Sequence, residues 1–590
     1  MTKKLGPDSP LSAVLDNAEA RRLLGNALPG VLDSPMALSL RTIPVGLLVD
    51  RDRTLANDPA ARDRLLAELA TVEDRSPERP GEHPVEPDPG YEGPEVARGS
   101  ATASSPERAG VHERFEPVLA GPAHGNPFVD VELDAEFTSP EQEVVRVGGY
   151  YDGGGRYVVR YLPPTPGTWS FRTRSTARSL DGITGTVEVV PSSARGPVRA
   201  EGFHFRYADG TRYTPVGTTA YAWTHQGEEL EQRTLASLAG SPFTKVRMCV
   251  FPKSYLYNTN EPERFVFPHD ADGGWDVTRF DPAYFAHLEQ RLDELQALGI
   301  EADLILFHPY DRWGFADLGP AADDRYVRYL VRRLAAFGNV WWSMANEYDL
   351  LWSKSVADWE RLAGIVVEED PVGHLRSIHN CLSPYDHARP WITHSSLQRI
   401  DTYRTAEETD TWRERWGKPV VVDECGYEGD LDQGWGNLTG EEMVRRCWEG
   451  AVRGGYVAHG ETYLTGDEVL WWSRGGELTG SSPARMAFLA QVVAESPTGV
   501  LDPLPSEWDA PWGGVADRYA VVYFGFNRPR FRTVTLPPGQ RVHVDVLDTW
   551  QMTVERLPGT FEGTFTVPLP ARQYMALRLT TVDAGPAVDA

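Results

Sequence analysis

The chain has 590 residues, 41% of them hydrophobic, and a formal net charge of −27. That length exceeds what one hydrophobic core organises, so several domains are expected. Such acidity excludes nucleic acid and anionic membrane surfaces as partners and leaves small neutral substrates.

The first residues, "MTKKLGPDSPLSAVLDNAEA", hold basic side chains but no apolar signal core. No later run approaches the roughly 20 apolar residues of a membrane span, so a cytoplasmic protein is expected. Cys249, Cys381, Cys425 and Cys447 lack CxxC spacing and read as reduced thiols.

Residues 1–72 carry helical periodicity, with Leu11, Val14 and Leu15, then Leu65, Leu66 and Leu69, at helix spacing. This helical module suits docking on a neighbour or self-association into a homo-oligomer. Residues 73–112 turn to Pro, Glu, Gly and Ser, a composition that cannot bury enough apolar surface to fold alone, and read as a linker. Residues 113–198 alternate apolar and polar side chains in short runs such as "VDVELDAEF" and "TWSFRTRS", which predicts a β-sandwich.

From 199 to 500, strand-like runs alternate with amphipathic stretches such as "PAYFAHLEQRLDELQALG". Eight such units predict a (β/α)8 TIM barrel, although the link before "WITHSS" lacks a clear helix. Residues 501–590 return to alternation and form a C-terminal β-domain. The expected fold class is therefore multidomain α/β, with a central barrel between two β-sandwich-type domains and a helical segment in front.

Barrel chemistry sits at the C-terminal ends of the strands. Those ends present Tyr221 and Trp223, Arg247, His308, Asn346 with Glu347, His379 with Asn380, His394, Glu424, and finally Trp471 and Trp472. Two carboxyl groups on opposite sides of one mouth are what glycosidic cleavage needs, one to protonate the leaving oxygen and one to face it.

"ANEYD" after the fourth strand and "VVVDECGY" at the seventh resemble the paired glutamate signatures of the clan A retaining glycoside hydrolases. "YTPVGTTAYAWTHQ", "KVRMCVFPKSYLYN" and "FHPYDRWGF" resemble the apiosidase-like barrel family, whose members often follow a small β-sandwich and precede a C-terminal β-domain. The resemblance spans roughly residues 113–580. It implies that Glu347 is the acid/base and Glu424 the nucleophile, and that Asn346 holds the sugar 2-hydroxyl.

Arg247 is positioned to keep Glu424 ionised. His308, His379, Asn380 and His394 are candidate substrate contacts, each with an ordinary strand-end alternative. Trp223, Trp471 and Trp472 offer faces for a sugar ring. Adjacent residues of an extended chain point opposite ways, so at most one of Trp471 and Trp472 should line the pocket and Asp423 should face the wall, away from Glu424. Asp349 and Glu428 stay open between loop caps and sugar ligands. No HxH or HExxH spacing links the histidines, so neither metal nor cofactor is expected. The expectation is a retaining exo-glycosidase acting on short oligosaccharides or glycosides, with a metal-dependent hydrolase and a non-catalytic carbohydrate-binding protein as the alternatives.

Overall fold

The computed structural model describes residues 3–582 apart from 33, 35, 36, 38, 39, 400, 402, 403 and 468. Its central segment is a mixed α/β unit with eight short strands, labelled β1 (Gly217–Thr219), β2 (Lys245–Cys249), β3 (Glu301–Phe307), β4 (Val340–Ala345), β5 (Arg376–Ser377), β6 (Ser395–Gln398), β7 (Val420–Glu424) and β8 (Tyr456–Val457). β1 to β5 pair in chain order, all parallel. A second parallel set runs β6, β7, β8. Backbone bonds bridge the two sets: Thr393 N donates to Arg376 O at 2.9 Å, and His459 N, just past β8, donates to Gly217 O at 2.8 Å. The eighth strand is thus returned to the first.

Every residue of β2, β3 and β4 is buried, as both faces of a parallel sheet require. One face packs on helices α1 (Glu228–Ala239), α2 (Pro282–Ala297), α3 (Pro320–Leu334) and α4 (Val356–Glu369), which follow the first four strands. α5 (Thr409–Trp416) follows β6 and α6 (Gly440–Val452) follows β7, while no helix separates β5 from β6. Helix starts are written locally. Asp281 accepts from Ala283 N with Pro282 opening α2, and Ser355 and Asp358 form a capping box on α4.

The other strand faces meet each other. Lys245 Nζ on β2 reaches Asp303 on β3 and Asp423 on β7, each at 2.7 Å, which only side chains sharing one interior can do. Asp423 also accepts from Ser396 at 2.6 Å. The expectation that Asp423 would turn into the wall is therefore corrected: it belongs to an interior ion cluster one layer below Glu424. Below that, Phe205 and Tyr213 pack against Trp341 and Val421 and close the lower end.

The flanking regions have cores of their own. Residues 102–190 contribute an eight-stranded sheet around Phe115, Phe137, Trp169 and Phe171. Two of its strands, Thr102–Ser104 and Arg108–Gly110, come from the stretch read as linker. Elsewhere that stretch is laid on the central unit, with Gly81 N donating to Leu318 O at 2.8 Å and Arg79 paired to Asp317 at 3.0 Å. Residues 502–581 form a seven-stranded sheet, six strands in one path and the short strand Phe561–Glu562 paired beside Arg541–Asp548, and a separate two-stranded ribbon.

The N-terminal helices Leu11–Leu15, Ala18–Ala27, Val45–Arg51 and Pro59–Leu69 gather around Leu11, Val14, Leu24, Val49 and Leu65. They rest on two loops of the central unit. Leu40 bridges to Asp311 beyond β3, and Trp352 beyond β4 packs into the helical core. Among the described residues, no helix is long and apolar enough to cross a membrane, and all four cysteines are free thiols.

Candidate active site

β4 emerges from the core at Ala345, and the next two residues turn into the centre. Asn346 N donates to Phe307 O at 2.9 Å, while Glu347 takes left-handed backbone angles (φ 50°, ψ 55°). A glutamate pays for such a conformation with about 1–3 kcal/mol, which the surrounding fold must supply. Tyr348 N then donates to His379 O at 2.9 Å, tying the turn to the segment after β5.

Glu347 is 5% exposed. Its Oε2 accepts from the Tyr310 hydroxyl and from Asn346 Nδ2 at 3.1 Å, and its Oε1 accepts from Gln398 Nε2 at 3.2 Å. Burial, reinforced by the charge of Glu424, raises its pKa, and these outweigh the Tyr310 bond and the Lys253 charge. Glu347 therefore keeps its proton more readily than an exposed carboxylic acid.

Glu424 ends β7. Its Oε1 accepts from the Tyr221 hydroxyl and from Arg247 Nη1 at 3.0 Å, with His379 Nε2 at 3.5 Å. Burial acts to raise its pKa too, but bonding to His379, the charges of His379 and Arg247 and the Tyr221 hydroxyl prevail and hold it at about 2. Asn346 links the two halves: its Oδ1 accepts from Arg247 Nη1 at 2.8 Å and Tyr221 at 3.1 Å, while its amide donates to Glu347. One carboxyl is thus poised to give a proton and the other to act as an anion, inside one network.

Of the residues singled out in the sequence, Asn346, Arg247 and His379 meet at the two glutamates. Asn380 acts a step back, exchanging bonds with the backbone of Gln398 at 3.1 and 3.4 Å and so aiming the Gln398 amide at Glu347. Trp472 joins an aromatic group with Tyr221, Tyr427, Tyr255 and Trp435, its ring 4.9 Å from that of Trp435.

Four other candidates lie elsewhere. Trp223 is fully buried, its indole N–H turned to Met248 Sδ at 3.4 Å. Trp471 donates to Thr218 at 2.9 Å within the core. His394 packs edge-on against Trp341 and Phe205 below the ion cluster, and burial lowers its pKa to about 4. His308 contacts Phe251 O at 3.1 Å, and burial lowers its pKa to about 3.

Trp471 and Trp472 begin a helical turn, Trp471–Arg474, where an extended strand end was expected; their divergence comes from helical rotation. Asp349 accepts from the amides of Cys381, Leu382 and Ser383, and Glu428 from those of Ser481 and Ser482, so both cap loops.

Sequence reasoning passed over Tyr310, Gln398, Lys253, Tyr255, Tyr427 and Trp435. A signal existed for Gln398, a polar residue closing the buried run "SSL", and for Lys253, a charge inside "VFPKSY". Side chains of metal-ligand type gather at Glu228, Glu231 and His287, where Arg291 already donates to both glutamates.

The apiosidase-like catalytic domain model matches residues 200–497. Residues 108–176 and 508–580 match two domain families of unknown function, DUF5060 and DUF5605. A provisionally assigned glycoside hydrolase from Bacteroides vulgatus ATCC 8482 is 39% identical, covering 81% of this chain and 100% of its own, with a TM-score of 0.76. A glycoside hydrolase family 5 protein from the same organism, 15% identical with a TM-score of 0.52 over 67% of this chain and 95% of its own, shares the fold. No curated protein matches. The fold and family are those of glycoside hydrolases. Within that class, the chain belongs to the apiosidase-like family.

Proposed function

We propose that the protein is a retaining exo-glycosidase of short oligosaccharides or glycosides, with Glu347 as acid/base and Glu424 as nucleophile. The observation that carries the reading is the side-chain network joining two carboxyls at the ends of β4 and β7: Asn346 bonds Glu347 on one side and, on the other, Arg247, the donor to Glu424, and within it Glu347 is pushed toward its acid form while Glu424 is held ionised. Glu347 protonates the leaving oxygen while Glu424 attacks the anomeric carbon. The deprotonated Glu347 then takes a proton from the water that releases the sugar, a step in which the Tyr310 and Gln398 hydrogen bonds stabilise its carboxylate. Asn346, between Arg247 and Glu347, suits a contact to the sugar 2-hydroxyl, and Trp472 with Trp435 suits stacking on a ring.

The eight parallel strands with β8 bonded back to β1 support a closed (β/α)8 barrel for residues 199–500. The separate cores support a helical module within 1–72 and a C-terminal β-domain within 501–590, while the strands Thr102–Ser104 and Arg108–Gly110 extend the first β-domain back into the stretch 73–112 expected to be a linker. The helical module rests on the loops beyond β3 and β4, and a cover on that side of the mouth would favour cleavage at a chain end. The four free thiols favour a reducing compartment such as the cytoplasm.

The two roles are separated by azide. Glu424→Ala should lose hydrolysis of all substrates, activated aryl glycosides included, by roughly 10⁴-fold or more. Glu347→Ala should still release an aryl group of low pKa, and azide should accelerate its turnover to a glycosyl azide with the substrate's own anomeric configuration. Retention in azide rescue of the Glu424 variant would reverse the roles, and full activity of either variant on a natural glycoside would refute the pair.

A further inference from the structure

Lys253 stands in the loop beyond β2 and is 2% exposed. Its Nζ lies 3.5 Å from the ring centre of Tyr221, 4.4 Å from Trp472, 4.5 Å from Tyr310 and 5.7 Å from Tyr255. Tyr221 is the donor to Glu424 and Tyr310 the donor to Glu347, so the ammonium lies against the rings of both tyrosines that hold the glutamates. Its close contacts among the described residues are with rings and not with a hydrogen-bond acceptor. Lys245 has Asp303 and Asp423, and Arg247 has Glu424 and Asn346. Glu347 and Glu424 direct their bonded oxygens to Tyr310, Asn346, Gln398, Tyr221 and Arg247, and no protein oxygen among the described residues accepts from Lys253 Nζ.

Ring faces attract an ammonium, but they accept none of its three N–H bonds as an oxygen would. A buried charge without an acceptor is unfavourable unless a bound molecule brings one. We propose that Lys253 is the anchor for an anionic group, a carboxylate or a phosphate ester, on the sugar bound between Glu347 and Glu424. This rests on the glycosidase reading of that centre and narrows it to acidic glycones, although the chain as a whole is acidic. Such a group would place a hydrogen-bonded counter-charge on Nζ where the protein supplies no bonded acceptor, and a neutral sugar would bring no charge to it. Burial lowers the Lys253 pKa to about 8, with the charges of Cys249, Glu424 and Glu347 raising it and that of Arg247 lowering it further, so the anchor carries its charge at neutral pH.

The test is equilibrium binding to the full-length protein by calorimetry. D-glucuronate, D-galacturonate, glucose 6-phosphate and galactose 6-phosphate would each be compared with glucose or galactose at pH 6.5. At least one anionic sugar should bind roughly 10- to 100-fold more tightly than its neutral parent, the worth of a hydrogen bond to a charged group. Whether the acid or the phosphate shows the gain identifies the group. Lys253→Met should bring the pair to parity while Lys253→Arg keeps part of the preference. In the wild-type protein the preference should fade as pH rises through 8, a readout that needs no variant. Equal binding of every pair, or a preference unchanged in Lys253→Met or across that pH range, overturns the proposal. Hydrolysis of neutral aryl glycosides that still depends on Glu347 and Glu424 would refute the anionic anchor and leave the paired-glutamate mechanism standing.

Discussion

Two pairs of glutamates are buried near the strand ends, Glu347 with Glu424 and Glu428 with Glu461, and they are held by different kinds of donor. Glu428 accepts from the backbone amides and hydroxyls of Ser481 and Ser482 and from the Tyr463 hydroxyl, and Glu461 from the amides of Thr479 and Gly480 and the Thr479 hydroxyl. Glu347 and Glu424 accept only from side chains: two phenols, two amides and a guanidinium, with the His379 ring beside Glu424. In both pairs one acid is shifted up and the other down, since burial raises Glu461 to about 7 while the Ser481 and Ser482 bonds bring Glu428 below its usual value against the effect of burial. A split pair is therefore not in itself a mark of catalysis. What separates the two is that amides fixed by a helix start serve architecture, whereas side-chain donors can follow a carboxyl that changes charge during a reaction.

That contrast can be broken by substitution. Glu347→Gln should lower kcat on unactivated glycosides by roughly 10²- to 10⁴-fold, the usual worth of general acid catalysis, with little change in melting temperature. Glu428→Leu should do the reverse, leaving the Ser481 and Ser482 donors unsatisfied and costing about 2–4 kcal/mol of stability while kcat stays within a few-fold. Comparable kinetic losses in both variants would dissolve the distinction.

Finer tests follow from the donors. Tyr310→Phe removes a hydrogen bond that favours the charged form of Glu347, so the alkaline limb of the pH profile should move up while kcat falls about tenfold. Glu461 contributes to a pH dependence of stability. Its folded pKa of about 7 lies above its ordinary 4.5, so the native state binds the extra proton, and its contribution is full below pH 4.5 and is lost as pH rises through 7. Glu461→Gln should flatten that fall, worth up to about 3 kcal/mol, in melting curves between pH 4.5 and 7. The smallest expected effect is that of EDTA, which should leave turnover unchanged, because two carboxyls supply acid and nucleophile without a Lewis acid. Loss of activity restored by zinc or manganese would favour the metal-dependent alternative.

Glu347 and Glu424 stand one residue beyond the buried runs "VWWSMA" and "VVV", after Asn346 and Asp423, and it was the resemblance to paired glutamate signatures that singled out the two of them and Asn346. Arg247 was named for its charge, which can keep a nearby carboxylate ionised. The reading failed where strands are too short to propagate alternation. β1 spans three residues and β5 two, too few for alternation to set the side toward which Trp223 turns. His394 precedes β6 instead of closing it, because that strand starts only at Ser395. Tyr310 escaped notice because its neighbour His308 drew the attention due to a strand end, yet His308 serves the loop beyond β2. Such assignments depend on where a loop turns, and loop geometry is set by contacts hundreds of residues apart.

The helical module that meets Asp311 and Trp352 has one further consequence, for the order in which the protein is made. Leu40 leaves the ribosome long before either partner, so the module must persist unseated while the sheet of residues 102–190 and the first strands of the central unit are synthesised. Contacts of such long sequence separation form late and slowly. The loop bearing Tyr310, beside Asp311, meets a module that is already waiting, and Glu347 follows it before Val420–Glu424 is made, so a nascent chain holds the seat of its acid before it holds its nucleophile's strand.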